Sequence, residues 1–363
     1  MYIKKLILKD YRNYDSLDIS FDKNVNIIIG NNAQGKTNLI ESLYVTSFGK
    51  SFRTNRDSEL VKFDKDYAKI FIEAEKEYFD TSVEVLIKKD SKKAVKKDGV
   101  NVKKVSELLK NVLIVIFSPE DLKIVKEDPE KRRRFIDREL CQIKPLYYES
   151  LSNYKKTLLQ RNMYLKEENI DRSIIDIWDT QLARYGARII KIRKEFIDRI
   201  SKYSSDIHSS ITDEKEILHI EYNPNISFVE KCEDLEELFY DEIKKSYKND
   251  IKMRTTTKGP HKDDISFFVN GINMRSFGSQ GQQRTCALSL KLAELNLIKE
   301  ETGENAILLL DDVMSELDVN RQRFLIKTLK NNQIFVTATD IEDRVIESFP
   351  NANIIKIEKG KLL

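Results

Sequence analysis

Cysteine is nearly absent: Cys141, Cys232 and Cys286 are the only three in 363 residues, and no two form a CxxC pair. Such spacing argues against a disulfide framework and a thiolate zinc site, and suits a reducing cytosol, so a cytoplasmic chain is expected. Long apolar runs are missing as well. None approaches the roughly 20 residues needed to cross a bilayer, and Met1-Tyr2-Ile3-Lys4-Lys5 leads into strand-like alternation with no signal-like apolar segment behind it. No membrane association is therefore expected. Charge of one sign is not in excess either, since 63 Lys+Arg against 60 Asp+Glu leave +3. A surface for any polyanion must come from local clustering. Internal repeats and low-complexity linkers are also lacking.

What is present is enough chain for two lobes, because one hydrophobic core seldom organises this length. Short strands open the chain (Ile3–Leu8, Leu17–Phe21, Val25–Ile29), and Ile27-Ile28-Ile29 reads as a parallel strand buried on both faces. Residues 67–100 predict antiparallel hairpins with a turn at Asp98-Gly99. Val112–Phe117 is a further buried strand. From Pro129 the period becomes helical. Tyr147, Leu151, Tyr154, Leu158 and Leu165 form one stripe. A second runs through Trp178, Leu182, Tyr185, Ile189, Ile192, Phe196, Ile200, Tyr203 and Ile207. The polar break at Glu167–Arg172 predicts an antiparallel helical hairpin of about 35 Å. Strands return near Thr255, followed by a long helix from Gly281 to Thr302 closed by Gly303. A strand at Ala306–Leu310, a helix at Asn320–Leu329 and a strand at Gln333–Thr337 finish an α/β core. The pattern divides the chain into a head built from 1–125 and 215–363, with a helical lobe inserted at 126–214.

Gly30-Asn31-Asn32-Ala33-Gln34-Gly35-Lys36-Thr37 follows a buried strand and opens a helix, the context that makes GxxxxGK[ST] a phosphate-binding loop. Its backbone amides and the helix N-terminus face phosphates. Lys36 is expected to reach the β- and γ-phosphates of ATP, and the Thr37 hydroxyl to ligate Mg²⁺. Ile307-Leu308-Leu309-Leu310-Asp311-Asp312 delivers two carboxylates at the C-terminal end of a strand, where open α/β sheets bind ligands. Asp311 is placed to hold Mg²⁺ through its water shell, and Asp312 to orient or deprotonate the attacking water. Ser279 and Gly281, in Ser279-Gln280-Gly281-Gln282-Gln283-Arg284, begin a helix and form a second anion site. Ser279 alone also fits a simple N-cap.

The stretch from Phe277 to Glu294 closely resembles the RecF family of bacterial recombination-repair proteins. Pro119–Lys126 with Arg132–Asp137, Gly259–Asp264, Leu310–Asp318 and Val336–Asp340 are similar to the same family. The resemblance implies an α/β fold: an ABC/SMC-type P-loop ATPase head with an antiparallel β subdomain and an inserted all-helical lobe. It implies that Ser279 completes the partner's nucleotide site in a homodimer formed on ATP binding. It also implies a weak, Mg-dependent, DNA-stimulated ATPase acting on duplex DNA and single-strand/duplex junctions. Recombinase loading at gaps, replication restart and SOS induction follow from it, with RecR and RecO as partners. The loop departs from the family at Ala33, where a second glycine is usual. Asp312 is one methylene shorter than the glutamate of ABC transporters, which fits slow turnover. Ser315-Glu316-Leu317-Asp318 corresponds to the family's dimer-interface loop. Thr337-Ala338-Thr339-Asp340 occupies the switch position where transporter ATPases carry histidine.

Arg12 and Ser51-Phe52-Arg53-Thr54 are similar to family segments lying near nucleotide, although either arginine also suits a surface ion pair. His261 reads as a turn residue satisfied by its neighbours more readily than as a catalyst. Lys88-Lys89, Lys92-Lys93, Lys96-Lys97 and Lys131–Arg134 are basic clusters that fit either DNA or a solvated face. A transporter's nucleotide-binding subunit and an SMC-like tether are the competing readings. The missing switch histidine opposes the first, and the short hairpin without a CxxC hook opposes the second. No second acidic metal cluster supports a nuclease.

Overall fold

The computed structural model describes residues 1–103, 105–329, 331–339, 349 and 351–363. In chain order the strands are β1 (Tyr2–Tyr11), β2 (Tyr14–Ser20), β3 (Val25–Ile29), β4 (Tyr67–Glu75), β5 (Asp80–Lys88), β6 (Ala94–Lys97), β7 (Val100–Asn101) and β8 (Ile114–Phe117). They continue with β9 (Leu218–Asn223), β10 (Asp264–Val269), β11 (Ile272–Asn273), β12 (Ile307–Leu310), β13 (Ile334–Ala338), β14 (Asn353–Glu358) and β15 (Lys361–Leu362). The helices are α1 (Lys36–Phe48), α2 (Val105–Leu109), α3 (Pro129–Ile143), α4 (Pro145–Tyr164) and α5 (Arg172–Ile211). After them come α6 (Cys232–Met253), α7 (Met274–Phe277), α8 (Gln280–Thr302) and α9 (Val319–Thr328).

Two compact units emerge, Met1–Leu122 with Glu294–Leu363, and Lys123–Ala293. The first holds two sheets. One is antiparallel, in the order β2-β1-β4-β5-β6-β7, and the other runs β15-β14-β3-β13-β12-β8, parallel except for its terminal β14–β15 hairpin. The apolar β3 lies between β13 and β14, as expected of a strand covered on both faces. Asp98 and Gly99 both take positive φ (50° and 79°), the backbone of a type I′ turn, and β6 pairs with β7 around them. Gln333 ties the two sheets together. Its Oε1 accepts from the Ile3 amide (2.7 Å) and its Nε2 donates to the Ile3 carbonyl (2.8 Å), so one buried side chain imitates a pairing strand. Helix α1 is buried almost all round, consistent with its apolar surface lacking a single wet face.

The second unit contains the expected helical hairpin but runs on beyond residue 214 to Ala293. Helix α5 packs on α4 and then on β9 and α6, and β9 pairs with β10, so the unit carries a three-stranded sheet, β11-β10-β9, besides its helices. Ile217–Tyr222 thereby goes with this unit. The paired span is close to the expected 35 Å, since the 20-residue α4 is about 30 Å long, but α5 has 40 residues, about 60 Å, and runs on past it. The stripe on α5 holds in part: Leu182, Ile189, Phe196, Ile200 and Ile207 are buried. Trp178, Tyr185, Ile192 and Tyr203 are only half-buried, while Asp179, Gly186, Arg193 and Ser204 are buried. Buried charges explain part of the difference. Arg161 donates to Asp179 (2.6 Å) and Asp250 (2.8 Å), and Arg193 to Asp137 (2.7 Å) and Asp263 (2.8 Å), so Asp179 and Arg193, which pattern as surface, lie inside, paired. Gly186 lets α5 and α6 meet, since a Cβ there would stand 1.8 Å from Phe239 Cε1.

Candidate nucleotide-binding site

The loop between β3 and α1 depends on glycine at two points. Gly30 (φ +155°) leaves no room for a Cβ, which would lie 2.4 Å from the Ile357 carbonyl oxygen. Gly35 (φ +117°) caps α1, and a Cβ there would meet Asn13 Nδ2 at 2.7 Å. Ala33, where glycine is usual in the resembling family, has φ +63°, a left-handed backbone costing roughly 1–2 kcal/mol for a residue with a Cβ. Neighbours brace the loop. Asn13 Nδ2 (2.9 Å) and the Gly360 amide (3.0 Å) donate to the Gln34 carbonyl, and the Lys359 amide donates to Gln34 Oε1 (2.6 Å). Tyr14 OH donates to the Gly35 carbonyl at 3.0 Å. Asn31, Asn32 and Ala33 remain exposed at the rim. Lys36 is buried, its ammonium donating to the carbonyls of Gly30 (2.6 Å) and Asn31 (3.1 Å).

The parallel sheet brings the late carboxylates to this loop. Thr37 Oγ1 donates to Asp311 Oδ1 at 3.0 Å. Burial, and then the neighbouring Asp312, push the Asp311 carboxyl above the usual range, while bonds from Thr37 and Thr337 oppose the shift. Asp312 is exposed and has φ +53°. Thr337, at the end of β13, touches both carboxylates at 3.1 Å. Of the switch segment, Asp340 lies outside the described residues. The donor set suits magnesium. Thr37 and Asp311 offer two hard oxygens, and no group of three or more His, Cys, Asp or Glu that could hold a metal occurs among the described residues. Such a sparse set fits an ion that completes its shell with phosphate oxygens and water.

Arg12 is committed to a buried partner. Its Nε and Nη2 each donate to Glu41 at 2.8 Å, and Nη1 donates to the Glu59 carbonyl. Glu41, on α1, also accepts from Tyr11 OH and Ser51 Oγ. Arg53 reaches the loop through a relay: it donates to Asn38, Asn38 donates to Asn13, and Asn13 donates to Gln34. Glu41 is the residue that sequence reasoning missed, because it sits on a helix that otherwise reads as apolar.

Ser279 and Gly281 lie in the second unit. Ser279 Oγ accepts from the Gln282 amide (3.2 Å) and Gln282 Oε1 accepts from the Ser279 amide (3.1 Å), a reciprocal capping box at the exposed start of α8. Gln282 Nε2 also donates to Glu216 (2.8 Å). His261 is satisfied locally, with Nε2 donating to the Thr256 carbonyl (2.9 Å) and Nδ1 accepting from Tyr154 OH (2.7 Å). The basic clusters are partly neutralised. Lys93 pairs with Asp57, Lys96 with Glu84, Lys131 with Glu127, Arg132 with Asp264 and Arg134 with Glu130.

The sequence matches the RecF/RecN/SMC N terminal domain model over residues 2–359. The chain belongs to that family. The DNA replication and repair protein RecF of Clostridium perfringens (strain SM101 / Type A) is 46% identical over 362 residues, spanning 100% of this chain and 99% of its own. That of Clostridioides difficile (strain 630) is 43% identical over 365 residues, spanning 100% and 98%. Among solved structures, the recombination mediator protein RecF-ATPrS in the RecFOR pathway superposes with a TM-score of 0.92 at 38% identity, covering 99% of this chain and 97% of that one. An SmcHead bound to the C-winged helix domain of ScpA, at 17% identity and a TM-score of 0.56, shares the fold. No helix among the described residues is long and apolar enough to cross a membrane.

Proposed function

We propose that this chain is an ATP-dependent recombination-repair protein that works as a nucleotide-switched dimer. The observation that carries the reading is the Thr37 hydroxyl resting on the Asp311 carboxylate beside a glycine-hinged, helix-opening loop. The amides of residues 30–37 and the N-terminus of α1 cradle the phosphates of ATP, and Lys36 exchanges its loop carbonyls for phosphate oxygens. Thr37 and Asp311 are the residues that would hold Mg²⁺, which would withdraw charge from the phosphates. Asp312 orients the water that attacks the γ-phosphorus. As that P–O bond forms, the bond to the bridging oxygen breaks, ADP leaves, and the water's proton passes by way of Asp312 to solvent. The short reach of an aspartate favours slow hydrolysis, suited to a switch.

Ser279 and Gly281 act in trans. The exposed cap and first-turn amides of α8 form an anion site for the γ-phosphate held by a second copy, so nucleotide binding adds its free energy to association. The dimer binds DNA at single-strand/duplex junctions and promotes recombinase loading with RecR and RecO, with DNA stimulating hydrolysis. The names of the full-length relatives support this reading, as does the RecFOR pathway given for the RecF structure.

Light scattering with and without ATP·Mg²⁺, on the native chain and on Ser279→Arg, tests it. The native mass should double with ATP, and a short gapped duplex should then bind more tightly in a salt-sensitive manner. Ser279→Arg should bind ATP and remain monomeric. A native mass indifferent to bound ATP would sink the trans assignment.

A further inference from the structure

Asp311 and Asp312 follow directly on β12 yet face different surroundings, the first buried against Thr37, the second exposed on a left-handed backbone at φ +53°. Aspartate is among the few residues besides glycine that visit that conformation, and at Asp312 hydrogen bonds hold it there. Thr337 supplies the first of these bonds. Strand β13 runs parallel to β12 with Val336 abreast of Leu310, so the next residue along β13 comes level with the paired carboxylates. The Thr337 hydroxyl accepts from the Asp312 amide at 2.8 Å and lies 3.1 Å from both Asp311 Oδ1 and Asp312 Oδ1. A hydroxyl has one proton, so it donates to one carboxylate at a time while still accepting from the amide. Asp311 Oδ1 also receives the Thr37 proton, so the Thr337 proton is shared between the two carboxylates and ties Asp312 to Asp311. On the other side, Ser315 Oγ donates to the Asp312 carbonyl at 2.9 Å. The amide, carboxylate and carbonyl of Asp312 are thus each held by a hydroxyl, and Thr337 supplies two of the three bonds.

We propose that Thr337 is a positioning residue for hydrolysis: its hydroxyl fixes the backbone and carboxylate of Asp312 at a set distance from Asp311. The proposal rests on the reading above, in which Asp312 orients the attacking water. Thr337 is buried and β-branched, so filling the end of β13 is the competing role, and valine fills the same space without the hydroxyl. The two roles therefore separate by substitution. Loss of the hydroxyl should leave phosphate binding by Lys36 and its loop intact and misplace only the carboxylate. A misplacement of ångström scale costs roughly tenfold to a hundredfold in rate.

The test uses the full chain with Thr337→Val, Thr337→Ser and, in parallel, Asp312→Asn. ATP affinity is measured by equilibrium titration, hydrolysis at steady state, and the lifetime of the ATP-bound state by chase with unlabelled nucleotide. Thr337→Val should hold ATP within about twofold of the native affinity, lose about tenfold or more in kcat with little change in KM, and lengthen the bound-state lifetime correspondingly. Thr337→Ser should recover most of the rate. Native kcat in Thr337→Val, with Asp312→Asn arrested, overturns the role of Thr337 alone. Native kcat in both variants overturns the assignment of Asp312 as well. Equal losses of ATP affinity in the valine and serine variants would show a purely structural residue and also overturn the proposal.

Discussion

The Gly360 amide donates to the Gln34 carbonyl at 3.0 Å, so a turn at the far end of the chain holds the phosphate loop. Gly360 has φ +72°, and a Cβ there would stand 2.6 Å from the Asn13 carbonyl oxygen, Asn13 being the other donor to Gln34. Gly360→Val should therefore weaken ATP binding about tenfold, roughly one hydrogen bond's worth, while α1 and the sheets remain folded. Equilibrium titration of ATP against circular dichroism checks this. Unchanged affinity would mean that the brace is not needed for phosphate binding.

Thr37 and Asp311 should matter for the metal-dependent part of binding. Thr37→Ala and Asp311→Asn should each remove most of the gain in ATP affinity that Mg²⁺ confers, leaving metal-free binding within about threefold. Calorimetric titration with Mg²⁺ and with EDTA separates the two parts. A full Mg²⁺ gain in both variants would refute the ligand assignment.

Gly186 and Phe239 set how closely α5 and α6 pack. Gly186→Ala places a methyl where the Phe239 ring lies and should cost about 1–3 kcal/mol by overpacking. Adding Phe239→Leu should recover part of that cost, giving a double-mutant coupling of about 1 kcal/mol or more in urea unfolding. Strict additivity would show that the ring moves aside freely.

His261 makes stability fall on acidification. Burial pushes its ring from the ordinary 6.5 down to about 4, against an opposing bond to the Thr256 carbonyl. Above pH 6.5 both the folded and unfolded rings are neutral. As pH falls toward 4 only the unfolded chain takes up the proton, so stability is lost across that window. The loss between pH 7 and 5 is about 2 kcal/mol. Unfolding of His261→Gln at the two pH values should show a smaller drop than the native chain by that amount, and an identical drop would remove His261 as the cause.

Much of this site was legible in the residues because its chemistry is local. A buried strand, glycines at fixed spacing and a helix start define the loop at 30–37, and an apolar run into Asp311-Asp312 defines a strand end. The parallel sheet then needed only to bring them together. What escaped was long-range and polar. Nothing about Lys359-Gly360 beyond a turn indicates that it clasps Gln34, and Gln333 reads as an ordinary residue before a strand, although it joins two sheets. Part of the helical stripe escaped for the same reason. Asp179 and Arg193 pattern as surface until Arg161 and Asp263 are seen beside them, since periodicity cannot tell a solvated charge from a paired, buried one.

The position of β3 between β13 and β14 also bears on how the protein is made. Thr37 and Asp311 are 274 residues apart, and at about 5–20 residues per second a ribosome needs roughly 14–55 s to travel between them. Throughout that interval β3 has been synthesised and neither strand that flanks it has. The unit at 123–293, continuous in the chain, is synthesised complete within the same period. The nucleotide loop thus acquires its acidic partner, its strand neighbours and its clasp only once synthesis has reached residue 311 and passed beyond it, long after the loop itself has been made.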